Sequence, residues 1–181
     1  MERPILFSAP MVRAILAGTK TQTRRTVKIT HRTPGLAACL LPVDPAWVRP
    51  KVAAELCPYG APGDRLWVRE TFGTRIVNDW PNPVGPIIYR ADGNWEHNPG
   101  RWHPSIHMAR RWSRITLEIT SIRVERLQEI SEADCRAEGL GDSVDRAHHW
   151  YRVLWDQING PGSWDASPWV WVIEFKRVTE Q

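Results

Sequence analysis

The clearest pattern along the chain is the alternation of apolar and polar residues in the segment 115–126, ITLEITSIRVER. Apolar residues occupy every second position and then slip by one place, in the order Ile115, Leu117, Ile119, and afterwards Ile122 and Val124. Alternation with a period of two predicts a strand with one buried face. Because a one-residue slip is typical of a β-bulge, we expect the strand to carry a bulge at Thr120–Ser121.

Shorter segments show the same strand pattern. They are PILF near the start of the chain, RLWVR with Leu66 and Val68 on one face, IIYRA, and the C-terminal WVWVIEFKRV. The segment 19–29, TKTQTRRTVKI, is polar but rich in residues that favour strands. We expect the residues that face the core of the sheet to include Ile115, Leu117, Ile119, Trp171 and Ile173.

Three segments read as helices. The first covers about residues 10–17, and Gly18 stands where a left-handed residue ends a helix. The second is SEADCRAEGL, in which Ser131 and Asp134 form a variant of the capping box and Gly139 ends the helix. The third, SVDRAHHWYRVLWDQING, has helical spacing, with a predicted apolar stripe of Trp150, Leu154 and Ile158.

The order of these elements is β, α, several β, α, α, β, which indicates an α+β protein rather than a doubly wound sheet. We predict a small mixed β-barrel with flanking helices. A chain of 181 residues is expected to form one domain over residues 1–181. Two segments rich in Pro and Gly, at about 30–62 and 73–105, are predicted to be long loops.

Composition narrows the function classes. The net charge of +4 permits binding to polyanions without requiring it, and eleven tryptophans are numerous enough to serve both the core and a stacking surface. We assign Trp155, Trp169 and Trp171 to the core, and Trp102 and Trp112 are the better candidates for stacking. Three cysteines without C-x-x-C spacing favour a reducing cytoplasm, and the sequence lacks a signal peptide and an apolar run of about 18 residues. We therefore expect a cytoplasmic protein without membrane contact, and a monomer is favoured.

The segment ILAGTKTQTRR raises the question of chemistry. Lys20 is a possible base and Thr23 a possible nucleophile, placed directly after a helix end. The segment is either a solvated basic turn or the edge of a site for an anionic, nucleic-acid-like substrate. Metal chemistry is not indicated, because the H-x₃-H spacing of His103 and His107 binds zinc only on one helical face. We expect no metal and no cofactor.

Five segments together resemble a known family. ILAGTKTQTRR, GDRLWVRETF, ITLEITSIRVERL, SEADCRAEGL and WVWVIEFKRV follow the order of motifs in the ASCH domain family. The chain is especially similar to the members common in bacteriophages and prophages, with insertions at about 30–62 and 73–105. The resemblance implies a PUA-like fold, which is a small β-barrel with flanking helices and a cleft beside it.

The resemblance also implies a function that involves RNA or a nucleoside. One bacterial branch of the family hydrolyses N4-acetylcytidine to cytidine and acetate, and its catalytic positions match Lys20, Thr23 and Glu138. The arginines that we expect to bind substrate are Arg24, Arg25 and Arg69. Two alternatives stay open: a non-catalytic RNA-binding module and a metal-assisted ribonuclease.

The amidohydrolase hypothesis makes two demands on the structure. Lys20 can act as a base only if its pKa falls towards neutrality, which burial and Arg24 and Arg25 favour and Glu138 opposes. In a regular strand Lys20 and Thr23 would also face opposite sides, so the segment 19–22 must contain a turn or bulge. We predict that Lys20, Thr23 and Glu138 converge in one concave pocket with Arg25 at its rim.

Overall fold

The computed structural model describes residues 1–28, 55–76, 84–93, 100–140 and 146–178. Its strands are β1 (Glu2–Leu6), β2 (Gln22–Thr26), β3 (Arg65–Arg69), β4 (Phe72–Ile76), β5 (Val84–Tyr89), β6 (Trp102–His103), β7 (Thr116–Arg126) and β8 (Trp169–Val178). Its α-helices are α1 (Ala9–Leu16), α2 (Glu132–Ala137) and α3 (Ala147–Asn159). The predicted α+β class is confirmed.

The main sheet has five strands in the order β1-β3-β7-β8-β2. β1 and β3 are parallel, and the other neighbours are antiparallel. β1 and β2 are its two edges, so the predicted closed barrel is wrong. A side chain links the edges where a barrel would have a backbone ladder: Nη2 of Arg25 on β2 donates to the carbonyl of Leu6 on β1 at 2.5 Å.

The long strand β7 follows its sequence pattern closely. Its register against β8 shifts between Ile119 and Ser121, which confirms the predicted bulge. The five residues predicted to face the core are all buried, namely Ile115, Leu117, Ile119, Trp171 and Ile173. The period-two pattern therefore identified the core face correctly, although the sheet around it stays open.

Strand β8 is buried on both faces. Trp171, Ile173 and Phe175 join a core that also includes residues of α1 and β3. Val170 and Val172 join a second core with the buried residues of α2 and α3. A strand covered on both faces reads as a continuous apolar run, as WVWVI does here.

The buried stripe of α3 differs from the prediction. Its buried residues are Ala147, Tyr151 and Trp155, whereas Trp150 and Leu154 are half-buried and Ile158 is 60% exposed. Both stripes have helical spacing and large apolar side chains, so periodicity alone does not separate them. Contact with the second core, which includes Trp164, selects the stripe that carries Tyr151.

Part of the segment 73–105, predicted to be loop apart from the short strand IIYRA, forms a second sheet, in which β5 covers most of that predicted strand. Its three antiparallel strands have the order β5-β4-β6. The residues 77–83 and 94–99 of this segment, and most of the predicted loop at 30–62, lie outside the described residues. The same holds for Cys39, whereas Cys57 and Cys135 are buried free thiols.

The three α-helices of the described part of the chain are too short, or too polar, to cross a membrane.

Candidate functional site

A cavity of about 160 Å³ lies where the two edges of the main sheet meet α3. Leu6 at the end of β1, Phe7 directly after it and Met11 of α1 line one part of the cavity. Lys20 and residues of β2 line another part. Glu138, directly after α2, completes the polar side, and α3 supplies a largely apolar side. The cavity therefore lies between β1 and β2, the two unpaired edges of the main sheet.

Lys20 and Glu138 form a buried ion pair in this cavity. The Lys20 Nζ donates to Glu138 Oε2 at 2.6 Å, to the Glu138 carbonyl at 3.0 Å and to the Gln22 carbonyl at 2.7 Å. The backbones of Lys20 and Glu138 also form an isolated antiparallel bridge. Two residues that lie 118 positions apart in the sequence are thus held together by both side chain and backbone.

Two glycines allow this approach. Gly18 follows α1 with a φ of 78°, which confirms the predicted helix stop. Gly139 has a φ of 103°, and a Cβ added there would lie 3.1 Å from Cβ of Ala14 and 3.4 Å from Cβ of Lys20. The missing side chain at Gly139 lets the end of α2 pack directly against α1 and Lys20.

Thr23 lines the same cavity from β2, where it pairs with Ile173. The segment between Gly18 and Gln22 is not a regular strand, because Lys20 belongs to the isolated bridge and β2 begins only at Gln22. The amidohydrolase hypothesis predicted such an irregular segment, and Lys20 and Thr23 both line the cavity. The predicted convergence of Lys20, Thr23 and Glu138 is confirmed as geometry, and their catalytic roles stay a prediction.

The site is buried rather than solvated. Lys20 is 3% exposed, and Thr23, Arg24 and Glu138 are each 4% exposed. The burial of Lys20 and Arg24 contradicts the alternative that the basic residues of ILAGTKTQTRR form a solvated turn. Burying so many charges is unfavourable unless each is paired, so the arrangement of their partners matters.

Arg24 pairs with three carboxylates. Its Nη2 lies 2.5 Å from Glu125 Oε1 and 3.2 Å from Asp134 Oδ2, and its Nη1 lies 3.4 Å from Glu138 Oε1. Burial lowers the pKa of Arg24, but the charge of Glu138 and the contact with Glu125 outweigh burial and raise it. Arg24 lines the cavity, and three acidic side chains surround its guanidinium, including Glu138. Its binding of substrate stays a prediction.

The pKa of Lys20 answers the question left open by the sequence. Burial lowers this pKa, and Arg25 and Arg24 lower it further, whereas Glu138 raises it. The lowering effects are the stronger, so the pKa of Lys20 lies below that of an ordinary lysine. A lysine base is more effective the closer its pKa lies to neutral pH.

The remaining two arginines differ in position. Arg25 lines the cavity as predicted and lies over the ring of Phe7, 5.2 Å from its centroid. Arg69 is not among the cavity-lining residues of the described chain, so its predicted place at the cleft is wrong. Its guanidinium donates to the carbonyl of Ile106 and lies over the ring of Trp67 instead.

Two cavity residues from α3, Tyr151 and Trp155, were not predicted as part of the site. Tyr151 donates its hydroxyl to Glu138 Oε1 at 3.5 Å, and burial together with Glu138 raises its pKa well above the ordinary value. The i, i+4 spacing of these two aromatic residues was the available signal, because it places them on one helix face.

The described residues contain no group of three or more His, Cys, Asp or Glu side chains placed to hold a metal ion. His103, the first histidine of the H-x₃-H segment, stacks on Phe72 with ring centroids 5.2 Å apart.

No family model matches the chain, and no curated protein matches its sequence. Among solved structures, an ASCH domain from Lactobacillus crispatus JV V101 is 12% identical, with a TM-score of 0.46, and the match covers 97% of this chain and 79% of that one. A protein from Enterococcus faecalis V583 assigned to the family DUF984 is 13% identical, with a TM-score of 0.45 and coverage of 98% and 82%. A further neighbour is a hypothetical protein with 10% identity, a TM-score of 0.44 and coverage of 98% and 100%. Neighbours with identities of 10–13% and TM-scores of 0.44–0.46 assign no function to this chain.

Proposed function

We propose that this protein is an amidohydrolase that cleaves the N4-acyl amide of acylated cytidine. The observation that carries the proposal is the buried Lys20–Glu138 pair, with Nζ and Oε2 2.6 Å apart, in the same cavity as Thr23. By the resemblance to the ASCH domain family, these three positions match the catalytic lysine, threonine and glutamate of its N4-acetylcytidine-hydrolysing branch. The cavity is also small enough to favour a single base over a folded nucleic acid.

In the proposed reaction the Thr23 hydroxyl attacks the acyl carbonyl carbon, and its proton passes to the neutral amine of Lys20. The C–N bond of the amide then breaks, and Lys20 returns the proton to the departing N4 nitrogen. Water hydrolyses the resulting threonine ester to acetate and restores the hydroxyl. The lowered pKa of Lys20 supports this cycle because it increases the neutral fraction of the amine at neutral pH.

Glu138 and Arg24 act on Lys20 rather than on the substrate. Glu138 uses Oε2 to hold Nζ, while its Oε1 is held by Arg24 and Tyr151. A neutral Lys20 amine has two N–H donors and one lone pair, so it retains two of its three acceptors and presents the lone pair to Thr23. Arg24 thus fixes the direction from which Glu138 holds the amine.

Replacement of Thr23 by Val tests the proposal with little change in shape. We expect the wild-type protein to release cytidine and acetate from N4-acetylcytidine, and Thr23→Val to lower kcat by at least about 10²-fold. Thr116→Val, on β7 and outside the cavity lining, is the matched control and should retain activity. Chromatographic separation of the nucleosides measures both products.

Parallel incubations with an RNA oligomer, with and without EDTA, distinguish the alternatives. RNA cleavage that EDTA abolishes would support the metal-assisted ribonuclease. RNA binding without turnover of either substrate would support the non-catalytic module. Either result, together with a lack of deacylation by the wild type, contradicts the amidohydrolase proposal.

A further inference from the structure

The side of the cavity formed by α3 is apolar apart from a few polar atoms. Leu154, Trp155 and Ile158 contribute to it, and the exposed Ile158 lies towards solvent. Trp155 is only 5% exposed and belongs to the second core as well as to the cavity wall. Its burial matches the core role predicted from the sequence, but packing alone does not account for its polar atom.

The indole nitrogen of Trp155 is a buried hydrogen-bond donor. Its Nε1 has no hydrogen-bond partner among the residues that the structure describes. A buried tryptophan N–H usually finds a partner, because losing its hydrogen bond to water is unfavourable. Since Trp155 lines the cavity, a molecule bound there is the available source of an acceptor.

A second donor of the same kind belongs to Arg25. Its Nη2 donates to the Leu6 carbonyl, but its buried Nε lacks a partner in the described chain. Two residues that line the cavity, Arg25 on β2 and Trp155 on α3, therefore each carry a buried donor without a partner in the described part of the chain. This combination suits a flat ligand that carries acceptor atoms on its edge.

We propose that Trp155 is a specificity-determining residue, whose Nε1–H donates a hydrogen bond to the ring carbonyl oxygen of a bound pyrimidine base. The inference rests on the proposed function, in which the acyl carbonyl is engaged at Thr23 and leaves the ring carbonyl as the acceptor for α3. The volume of about 160 Å³ lies below the range typical of drug-sized ligands and suits one heterocyclic base. Trp155 thereby selects pyrimidines that carry a carbonyl group.

Two pairs of ligands that differ in the ring carbonyl test this assignment. N4-acetylcytosine and 4-acetamidopyrimidine serve as substrates, and cytosine and 4-aminopyrimidine serve as non-reacting ligands. Trp155→Phe keeps an aromatic ring and removes the N–H donor. Trp164→Phe is the matched control, because Trp164 is buried in the same core but does not line the cavity.

We expect the wild type to prefer the carbonyl-bearing member of each pair by about tenfold, as one hydrogen bond allows. Trp155→Phe should remove this preference by raising KM for N4-acetylcytosine while kcat stays unchanged. Trp164→Phe should keep it, and a merely structural role of Trp155 would change both members of a pair equally.

The binding arm separates this inference from the proposed function. If the wild type prefers cytosine over 4-aminopyrimidine in calorimetric titrations but deacylates nothing, the amidohydrolase proposal fails and the assignment of Trp155 stands. If the wild type shows no preference, binds neither base, or keeps its preference in Trp155→Phe, the assignment of Trp155 is wrong.

Discussion

Replacement of Glu138 by Gln is the most informative perturbation of the buried site. The change keeps the shape of the side chain but removes the charge that holds Lys20 Nζ at 2.6 Å. Arg24 retains Glu125 and Asp134 as charged partners, whereas Lys20 retains two backbone carbonyl oxygens and loses its negatively charged partner. The variant therefore isolates the effect of leaving one buried ammonium group without a counter-charge.

The expected loss of stability depends on whether Lys20 keeps or loses its proton in the variant. Removing one partner of a buried ion pair typically lowers the free energy of unfolding by about 3–5 kcal/mol. Lys20 can avoid this penalty by losing its proton, which costs about 5 kcal/mol at pH 7 for an ordinary lysine pKa near 10.4. At pH 9.5 the same deprotonation costs only about 1 kcal/mol. We therefore expect Glu138→Gln to lose about 3–5 kcal/mol at pH 7 and clearly less at pH 9.5.

The expected decrease of this loss with rising pH agrees with the lowered pKa of Lys20. Burial already lowers this pKa in the native protein, and the loss of Glu138 removes the charge that opposes the lowering. Between the lowered native pKa and the unfolded pKa, the unfolded chain binds more protons, so stability gains with rising pH. Because the pKa of Lys20 is lower still in the variant, its free energy of unfolding increases more with pH than that of the wild type. The difference in stability between the two proteins therefore becomes smaller at pH 9.5.

Urea unfolding followed by tryptophan fluorescence at pH 7 and pH 9.5 measures both values. Glu132→Gln, on the exposed side of α2, is the matched control and should change stability by less than about 0.5 kcal/mol. A loss below about 1 kcal/mol for Glu138→Gln at pH 7, or a loss equal at both pH values, would refute the reasoning.

Three further predictions concern the surroundings of the site. Burial raises the pKa of Asp134, but Ser131, Arg24 and Arg123 outweigh burial and bring this pKa to about 2. Asp134→Asn should therefore lower the free energy of unfolding by about 2 kcal/mol above pH 4. Unfolding measured at decreasing pH should show this difference disappear as the pH falls from 3.8 towards 2. Gly139→Ala should lower the thermal midpoint more than Gly162→Ala, because both have positive φ but only Gly139 has the close contact with Ala14; equal shifts would contradict tight packing there. Arg25→Gln should weaken cytidine binding severalfold in equilibrium dialysis and Arg69→Gln should leave it unchanged, and the reverse order would place the ligand elsewhere.

The features that the sequence predicted correctly depend on neighbours along the chain. The bulge between Ile119 and Ser121 follows from a slip in a period-two pattern, and the left-handed Gly18 from the end of an apolar helix face. The capping box of Ser131 and Asp134 is present as predicted. Each of these signals is complete within a few residues, so tertiary contacts had little to add.

The wrong predictions depend on contacts between distant segments. The buried stripe of α3 is chosen by packing against β8 and Trp164. The strands β4 and β6, which lie largely in segments predicted to be loop, are stabilised by pairing with each other. Closure of a barrel would require pairing between β1 and β2, which pair with β3 and β8 instead. Local pattern carries no information about any of these choices.

The residue types of the site were evident in the sequence, and the resemblance to the ASCH domain family brought Lys20, Thr23 and Glu138 together as a hypothesis. Only the tertiary structure decided their physical state. The burial of Lys20 determines the direction of its pKa, and three carboxylates surround the guanidinium of Arg24. The structure also shows that Trp155 Nε1 is buried without a hydrogen-bond partner among the described residues. A sequence specifies which charges and donors a protein has, but desolvation and pairing depend on distances that exist only once the chain has folded.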